Sequence, residues 1–414
     1  MLDVTQPPEV IKRFLEYVAI DTTSRLPDIG STPTKPSSAG QVELANLVKE
    51  DLDPWDLSIM DLADGSFMVL IPASVGCQSR PHLAFAVHLD TYFGLPGKVQ
   101  PMFFQCAGQD IVLPNSGTVI PAEDLRGLRG KSIITSMGDT LLGADDKAGL
   151  AAMVTAIRRI MTTGIKHGPL SFWFCVDEET CSLDATMLPK GVIDNWDILF
   201  TLDGDSKLGV IETACFNGLQ LEIIFKGSSA HPGLAGDKLR PAVYAAVELA
   251  DLIPRHWKSP MYSSGREGFV YLYEVVGNAS QARVSCDIRS FDLKWGLLVA
   301  KRIIDMANNV SGDRLVSCET AVVNNYVNIA KAIKGKRSLL EIAARAHRKF
   351  GCRPQFRSAR AGTDGAMLNL HYPNLPAPNL STGARNIHSQ NEFLVVEELV
   401  KLVDILMAMV TLKS

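Results

Sequence analysis

Three runs of apolar residues in the first half of the chain each end abruptly on ionisable side chains. The runs occupy residues 83–87 (LAFAV), 170–176 (LSFWFCV) and 198–202 (ILFTL). Each run is continuous rather than alternating, which is typical of a parallel strand that is buried on both faces. Because ligands bind beyond the carboxyl ends of the strands in an open parallel sheet, we expect the polar residues that follow these strands to face one crevice.

A second pattern fills residues 214–327, where strands and helices follow one another in the order β-α-β-β-α-β. That order is typical of a small ferredoxin-like unit. Amphipathic helices return at 338–350 and 397–410, which indicates that the chain rejoins its first domain. We therefore predict an α/β fold in which residues 1–213 and 328–414 form a mostly parallel sheet sandwiched by helices. Residues 214–327 form an inserted α+β domain.

Composition and charge narrow the classes of function. The chain has 414 residues, of which 46% are apolar and 21% charged, as is ordinary for a globular enzyme. A net charge of −4 argues against a nucleic-acid partner. No apolar run approaches the roughly 20 residues that span a bilayer, so no membrane partner is expected. Eight cysteines without a CxxC pair favour reduced thiols in a cytoplasmic protein.

The start of the chain predicts an amphipathic helix rather than a secretory leader, because charged residues interrupt its apolar ones. Proline near its start suits the first turn of a helix. The residues expected on its apolar face are Val10, Phe14, Leu15 and Val18.

The segment 141–161 (LLGADDKAGLAAMVTAIRRIM) predicts a helix with an acidic start. Its apolar residues share one helical face, which places Asp145 and Asp146 at the helix N-terminus. The helix dipole and the free N–H groups favour anionic side chains there. A capped helix without further function explains the pair at least as well when it is taken alone.

Further ionisable residues follow the three predicted strands. Asp90 lies two residues beyond His88, where its carboxylate can hold one ring nitrogen and leave the other for a metal. The carboxylates at 177–179 repel one another unless cations or hydrogen-bond donors neutralise them. Asp203, at the end of another apolar run, also needs such a partner. With His388 in a late polar loop, the chain offers two imidazoles and several carboxylates, a mixture that suits zinc, cobalt or manganese.

Seven motifs follow one another along the chain: HLDT (88–91), LLGADDKAG (141–149), DEE (177–179), LDG (202–204), AHPG (230–233), GTDGA (362–366) and the loop of His388. In this order they resemble the peptidase T-like members of the di-zinc metallopeptidase family, which includes carboxypeptidase G, aminoacylase and acetylornithine deacetylase. The early segment 36–48 is also similar, so the resemblance covers nearly the whole chain. GADDKAG together with DEE carries most of its specificity.

The resemblance implies a zinc exopeptidase-like fold with two divalent metal ions, zinc in the first place and cobalt or manganese as alternatives. It assigns His88 and Asp203 to one ion, and Glu179 and His388 to the other. Asp145 is implied as the ligand that bridges both ions.

Further roles come from the same resemblance. Asp90 is expected to orient His88, and Glu178 to act as general base on a water that bridges the metals. The peptide bond between Asp145 and Asp146 is expected to be cis.

The inserted domain is implied to act as a lid and as the interface of a homodimer. His231 is expected to reach across the dimer to the tetrahedral oxyanion, and Arg289 to bind a substrate carboxylate. A turn histidine before proline and an ordinary strand-end salt bridge are the plainer interpretations of these two residues. Further expected substrate contacts are Asn278, Arg360, Gly362 and Thr363.

The sequence therefore predicts a metal-dependent aminopeptidase that cleaves short peptides such as tripeptides. A related di-zinc amidohydrolase, either an N-acyl-amino-acid deacylase or a carboxypeptidase, is an alternative that uses the same ligands. An inactive binding protein on this scaffold is a third alternative, which the intact Glu178 disfavours. Loops bordering the cleft depart from the peptidase T pattern at 180–183, 204–209 and Asn391, so the exact substrate stays open.

Overall fold

The structure, a computed structural model, describes residues 7–26, 34–180 and 188–412. These residues belong to two compact units. The first lies within Met1–Thr213, Lys331–Arg357 and Thr363–Ser414, and the second comprises Ala214–Ala330 and Ser358–Gly362. The sequence predicts that 328–414 belongs wholly to the first domain. The short segment Ser358–Gly362 belongs to the second unit instead, where the Arg360 guanidinium donates a hydrogen bond to the Ser263 carbonyl.

The described elements have the following bounds in chain order. The helices are α1 (Glu9–Val18), α2 (Ala39–Leu52), α3 (Ala144–Thr163), α4 (Lys190–Ile193), α5 (Ala242–His256), α6 (Leu293–Arg314), α7 (Ala330–Ile333), α8 (Arg337–Lys349), α9 (Asp364–Leu368) and α10 (Val396–Thr411). The strands are β1 (Ser58–Asp61), β2 (Phe67–Ile71), β3 (Leu83–His88), β4 (Met102–Gln105), β5 (Ile111–Val112), β6 (Val119–Ile120), β7 (Ser132–Thr135), β8 (Leu170–Cys175), β9 (Ile198–Gly204), β10 (Val210–Ala214), β11 (Asn217–Lys226), β12 (Phe269–Gly277), β13 (Gln281–Ser290), β14 (Ser317–Tyr326), β15 (Gln355–Ser358), β16 (Asn379–Ser381), β17 (Ala384–Arg385) and β18 (Phe393–Val395).

The large sheet of the first unit has the strand order β1-β2-β8-β3-β9-β16-β10-β15. Its central strands β8, β3, β9 and β16 run parallel, and Leu83 is paired with both Leu170 and Ile198. Strands β1, β2 and β10 pair antiparallel with their neighbours, so the sheet is mixed at its edges. The predicted α/β class is confirmed, and the three apolar runs form the parallel centre. Their carboxyl ends share one edge.

Helices cover this sheet with apolar side chains. Helix α3 is buried along most of its length and packs on α1, α10, β3 and β9. In α1 the predicted apolar face is largely confirmed, because Val10, Phe14 and Val18 are buried. Leu15 is only partly buried, and Tyr17 completes the buried face instead.

The second unit has one antiparallel sheet in the order β12-β13-β11-β14. Alternate residues of its strands, such as Leu221 and Val284, are buried in one core with apolar residues of α5 and α6. This order of strands and helices is the ferredoxin-like arrangement that the sequence predicts.

Within the described ranges, the structure contains no helix that is long and apolar enough to cross a membrane. Among the described cysteines, free thiols belong to Cys77, Cys106, Cys175, Cys286, Cys318 and Cys352. Cys181 lies outside the described residues.

Candidate metal centre

The carboxyl ends of β3 and β9 bring ionisable residues together in the first unit. His88, the last residue of β3, is 1% exposed. Its Nε2 atom lies 3.1 Å from Asp145 Oδ1 and 3.9 Å from Asp203 Oδ1. Ligand atoms of His88, Asp145 and Glu179 all lie within 4.8 Å of one another. Residues that the sequence assigned as ligands thus share one small volume.

Asp145 lies between the two imidazoles. Its Oδ1 atom faces His88, and its Oδ2 atom lies 3.0 Å from Nε2 of His388. The same His388 nitrogen is 2.9 Å from Glu179 Oε1. One carboxylate therefore presents one oxygen to each histidine, which is the arrangement needed by a ligand that two cations share.

The irregular start of α3 positions the Asp145 carboxylate. Asp145 and Asp146 have non-helical backbone angles, and the peptide bond between them is cis, as the resemblance implied. Oδ2 of Asp146 accepts a hydrogen bond from the His88 N–H at 3.3 Å. A Cβ atom on Gly149 would stand 2.3 Å from both Asp146 Oδ1 and the Leu202 carbonyl oxygen. The second glycine of GADDKAG therefore allows α3 to approach the end of β9.

Asp90 positions several members of the cluster. His88 Nδ1 donates a hydrogen bond to the Asp90 backbone carbonyl at 3.0 Å and lies 3.4 Å from its carboxylate. The same carboxylate accepts hydrogen bonds from the N–H groups of Glu178 and Glu179, both at 3.1 Å. Asp90 thus orients His88 mainly through its main chain, and it uses its side chain to place the two glutamates.

The acidic side chains of the cluster are crowded. Burial raises the pKa of Glu178 well above its usual range, and Asp364, Glu179 and Asp90 add to this effect. Burial also raises the pKa of Asp203, helped by repulsion from Asp145. Groups that resist ionisation for these reasons are those that a bound cation would most stabilise in their charged form.

The two imidazoles, unlike these carboxyl groups, are stabilised in their charged form. Burial lowers the pKa of His388, but hydrogen bonds to Asp145 and Glu179 outweigh burial and raise it to about 11. For His88 the hydrogen bonds to Asp145 and Asp90 likewise outweigh burial and raise the pKa well above its usual range. Carboxylates and imidazoles whose ligand atoms converge in this way fit divalent metal ions of the zinc type.

Two neighbours of the cluster were not anticipated from the sequence. The Tyr92 ring stacks on His388, with centroids 4.2 Å apart and planes 7° from parallel. Glu392, which is 1% exposed, accepts hydrogen bonds from the N–H groups of Gly143 and Asp145. Tyr92 directly follows the HLDT motif, but no local pattern indicates its contact with a residue almost 300 positions away.

Two further buried groups lie close by. The Lys147 ammonium donates a hydrogen bond to the Ile20 carbonyl at 2.7 Å, and burial lowers the pKa of this lysine to about 7. Burial raises the pKa of Asp364 to about 7, and this carboxyl group is hydrogen bonded to the Cys175 thiol. Lys147 belongs to the motif GADDKAG and Asp364 to GTDGA, and membership of these motifs is the feature of the sequence that could have indicated them.

The expected substrate-binding residues of the second unit have local partners. Nη2 of Arg289 lies 2.7 Å from Asp287 Oδ2, and its guanidinium stands over the Tyr326 ring. The strand-end salt bridge considered from the sequence is therefore present. Asn278 Oδ1 accepts hydrogen bonds from the turn between β12 and β13. His231 is exposed before a short 3-10 helix.

Arg360 and Gly362 both lie against aromatic rings of their own unit. The Arg360 guanidinium lies over the rings of Phe216 and Phe269. A Cβ atom on Gly362 would meet the ring of Tyr326 at 2.5 Å. The close approach that requires this glycine is thus made by a tyrosine of the same unit.

Thr363 and the divergent loops belong to the first unit. Thr363 precedes α9, with its hydroxyl 3.4 Å from that of Thr201. Asn391 accepts a hydrogen bond from the Ser389 hydroxyl at 2.6 Å. Residues 181–183 of the first divergent loop lie outside the described residues.

The fold and the convergent candidate ligands are those expected of a metallopeptidase with an inserted α+β domain. The model of peptidase family M20/M25/M40 matches residues 142–412, and the chain belongs to this family. Peptidase T of Halothermothrix orenii is 32% identical over 419 residues, which cover 98% of each chain. The resemblance to peptidase T that the motifs indicated is confirmed.

Solved structures share the fold over nearly the whole chain. A tripeptidase of Staphylococcus aureus superposes with a TM-score of 0.72 at 19% identity, covering 97% of both chains. The YXEP protein of Bacillus subtilis, described as a dinuclear metal binding peptidase, gives a TM-score of 0.62 at 14% identity, covering 97% of this chain and 96% of that one.

Proposed function

We propose that this protein is a metal-dependent aminopeptidase that hydrolyses short peptides, with tripeptides as its main substrates. One observation carries the proposal: the Asp145 carboxylate faces His88 with one oxygen and His388 with the other. The family supplies the reaction class, and the tripeptidase of Staphylococcus aureus with the same fold supports the size of the substrate.

The proposed metal ligands are the convergent residues of the first unit. His88 and Asp203 would hold one divalent ion, Glu179 and His388 would hold the other, and the Asp145 carboxylate would be shared by both. The dinuclear peptidase of Bacillus subtilis supports two ions rather than one. Zinc suits this mixture of imidazole and carboxylate, with cobalt or manganese as substitutes. Bound in this way, the ions would supply Lewis-acid polarisation of the scissile carbonyl and a water of lowered pKa.

Glu178 is proposed to transfer the proton. Its backbone N–H is held by Asp90, so the side chain starts from a fixed point beside the ligands. Its raised pKa allows the carboxylate to take a proton from the attacking water and to return it to the leaving amine. The two carboxylate oxygens of Asp90 accept hydrogen bonds from the N–H groups of Glu178 and Glu179. Asp90 thereby fixes the proposed base relative to the proposed ligand.

The second unit is proposed to bind substrate and to act as the lid. Arg289 offers a forked guanidinium that suits a peptide carboxylate. Its ion pair with Asp287 engages Nη2, and a guanidinium has further N–H donors for a substrate carboxylate. His231 is exposed and available for the oxyanion, as the resemblance implied. Asn278, Arg360 and Gly362 are proposed as further substrate contacts of this unit, and Thr363 as one of the first unit.

A homodimer through the second unit is part of the proposal. Apolar side chains on its surface support it: Tyr271 and Val275 of β12 are 48% and 41% exposed, and Tyr244 and Val247 of α5 are 59% and 56% exposed. Sedimentation should show a dimer that a Val275→Glu, Tyr244→Glu double variant converts to monomers. A monomeric parent protein would contradict this assignment. Free thiols support a reducing, cytoplasmic location.

A substrate panel tests the proposed activity. The purified protein is loaded with zinc or cobalt and offered di-, tri- and tetrapeptides, the same peptides with acetylated amino termini, and N-acyl amino acids. We expect cleavage of tripeptides with a free amino terminus and none of the acetylated set. Cleavage of N-acyl amino acids but of no free peptide would replace the aminopeptidase with an amidohydrolase. Fewer than two bound ions after loading would contradict the dinuclear site.

A further inference from the structure

The buried carboxyl group of Glu392 bridges two backbone N–H groups at the start of α3. Its Oε2 atom accepts from Gly143 N–H at 2.8 Å and its Oε1 atom from Asp145 N–H at 3.1 Å. The residue is 1% exposed, so water does not compete for these hydrogen bonds. Two oxygens bound to two donors fix the plane of the carboxyl group as well as its position.

The segment that Glu392 holds lacks the hydrogen bonds of a regular helix. Gly143 has a left-handed backbone (φ 69°), and Asp145 has an extended ψ of 104°. N–H groups before the first full turn of a helix need an acceptor from elsewhere. Glu392 supplies that acceptor to the residue whose side chain faces both imidazoles. On the carboxyl side, the Lys147 ammonium ties the same segment to the Ile20 carbonyl.

Glu392 also belongs to the loop that carries His388. It directly precedes β18, whose residues Phe393–Val395 are buried and paired with β7. Its side chain therefore connects a segment anchored in a sheet with the segment that presents Asp145. The distance of 3.0 Å between Asp145 Oδ2 and His388 Nε2 depends on both segments.

We infer that Glu392 is a positioning residue that holds the Gly143 and Asp145 N–H groups and thereby directs the Asp145 carboxylate between His88 and His388. In this role it keeps the two halves of the metal centre at one separation without touching a metal ion or substrate. The inference rests on the dinuclear site of the proposed function, but not on the identity of the substrate.

The test compares Glu392→Gln with a matched variant, Glu397→Gln. Glu397 also receives a backbone N–H, that of Ser132 at 3.0 and 3.2 Å, but holds no segment that carries a ligand. In the Glu392→Gln variant one of the two acceptor oxygens becomes an NH2 group, which faces a backbone N–H donor and cannot accept its hydrogen bond. Co²⁺ affinity is measured on metal-free protein by competition with a chromogenic chelator.

We expect Glu392→Gln to bind the weaker of the two Co²⁺ ions about 10-fold or more weakly, as is usual when a partner behind the metal ligands is lost. Its cobalt absorption spectrum should change, and kcat at saturating metal should fall more than KM changes. Glu397→Gln should keep both affinities within about twofold and the parent spectrum, since the hydrogen bond that it perturbs positions no metal ligand. Thermal unfolding in a chelator reports any loss of fold separately.

Glu392→Asp keeps the test decisive if the glutamine variant does not fold. Its carboxylate, one methylene shorter, cannot reach both N–H groups, so the same loss of affinity is expected. Parent-like affinity for two ions in a folded Glu392 variant would overturn the inference. A parent protein that binds two ions but cleaves no peptide would overturn the proposed function alone. Fewer than two ions in the parent protein would overturn both.

Discussion

At the scale of single residues, the spacing of charges decides what the cluster can do. Asp145, Glu178, Glu179 and Asp203 stand around His88 in a volume from which water is largely excluded. Burial and repulsion raise the pKa of Glu178, Glu179 and Asp203. For Asp145, burial is outweighed by hydrogen bonds from the two imidazoles, which lower its pKa. Added positive charge would favour ionisation of the three acids with raised pKa. Each residue type here is common in proteins, so the function follows from their convergence rather than from any one of them.

Replacing Glu178 by alanine should separate catalysis from metal binding. We expect the Glu178→Ala variant to keep two ions and to lose about 10²- to 10⁴-fold in kcat, the usual contribution of a general base. Glu397→Ala, in the first turn of α10, should leave kcat nearly unchanged. Steady-state kinetics with metal analysis checks both variants. Unchanged turnover in Glu178→Ala would assign the base to another group.

Tyr92 should hold His388 in its binding orientation. The His388 side chain is 40% exposed and its backbone is left-handed (φ 61°), so the stacked ring is its main lateral support. We expect Tyr92→Leu to weaken binding of the ion assigned to His388 and Glu179 by about 10-fold. The control Phe356→Leu, at a ring of β15 that is 48% exposed, should not. Chelator competition measures both, and equal affinities in the two variants would remove this role from Tyr92.

At the scale of elements, continuous apolar runs predicted β3, β8 and β9 closely, because strands buried on both faces leave a strong pattern. The sequence did not predict β16, which inserts between β9 and β10. It is only Asn379–Ser381, too short to show a period, and it lies in a proline-rich stretch. The hydrogen bond from Gly143 N–H to Glu392 could not be predicted either, because it depends on tertiary packing and not on any local pattern.

The close contact of α3 with β9 makes Gly149 sensitive to added volume. A methyl group there would press on Asp146 Oδ1 and on the Leu202 carbonyl, both at 2.3 Å. We expect Gly149→Ala to lower the free energy of unfolding by about 1–3 kcal/mol, the usual cost of overpacking. Gly191→Ala in α4, where an added Cβ meets nothing within 4 Å, is the matched control. Denaturant unfolding that gave both variants parent stability would show that α3 can shift.

At the scale of the whole molecule, metal uptake should be coupled to proton release. The pKa values of His88 and His388 are raised in the metal-free protein, that of His388 to about 11. Near neutral pH the His388 ring therefore holds a proton that a metal ion must displace, and the raised pKa of His88 acts in the same direction. The buried acids with raised pKa add to the release in the same direction.

Affinity for each ion should consequently rise with pH, by about tenfold per unit for each proton released. Calorimetry in buffers of different protonation enthalpy measures the number of protons directly. The Glu397→Gln variant should follow the same dependence, because its site residues are intact. An affinity independent of pH, with no proton release, would show that the two rings are already neutral before the metal arrives.

The position of β16 between β9 and β10 also affects when the large sheet can form during synthesis. Strands β9 and β10 leave the ribosome early, yet the strand that joins them to one sheet ends at Ser381. All of the second unit except Ser358–Gly362 has been synthesised at Ala330, before β16 is made. Such distant pairings fold slowly. A nascent chain therefore cannot complete the large sheet until Ser381 has been made.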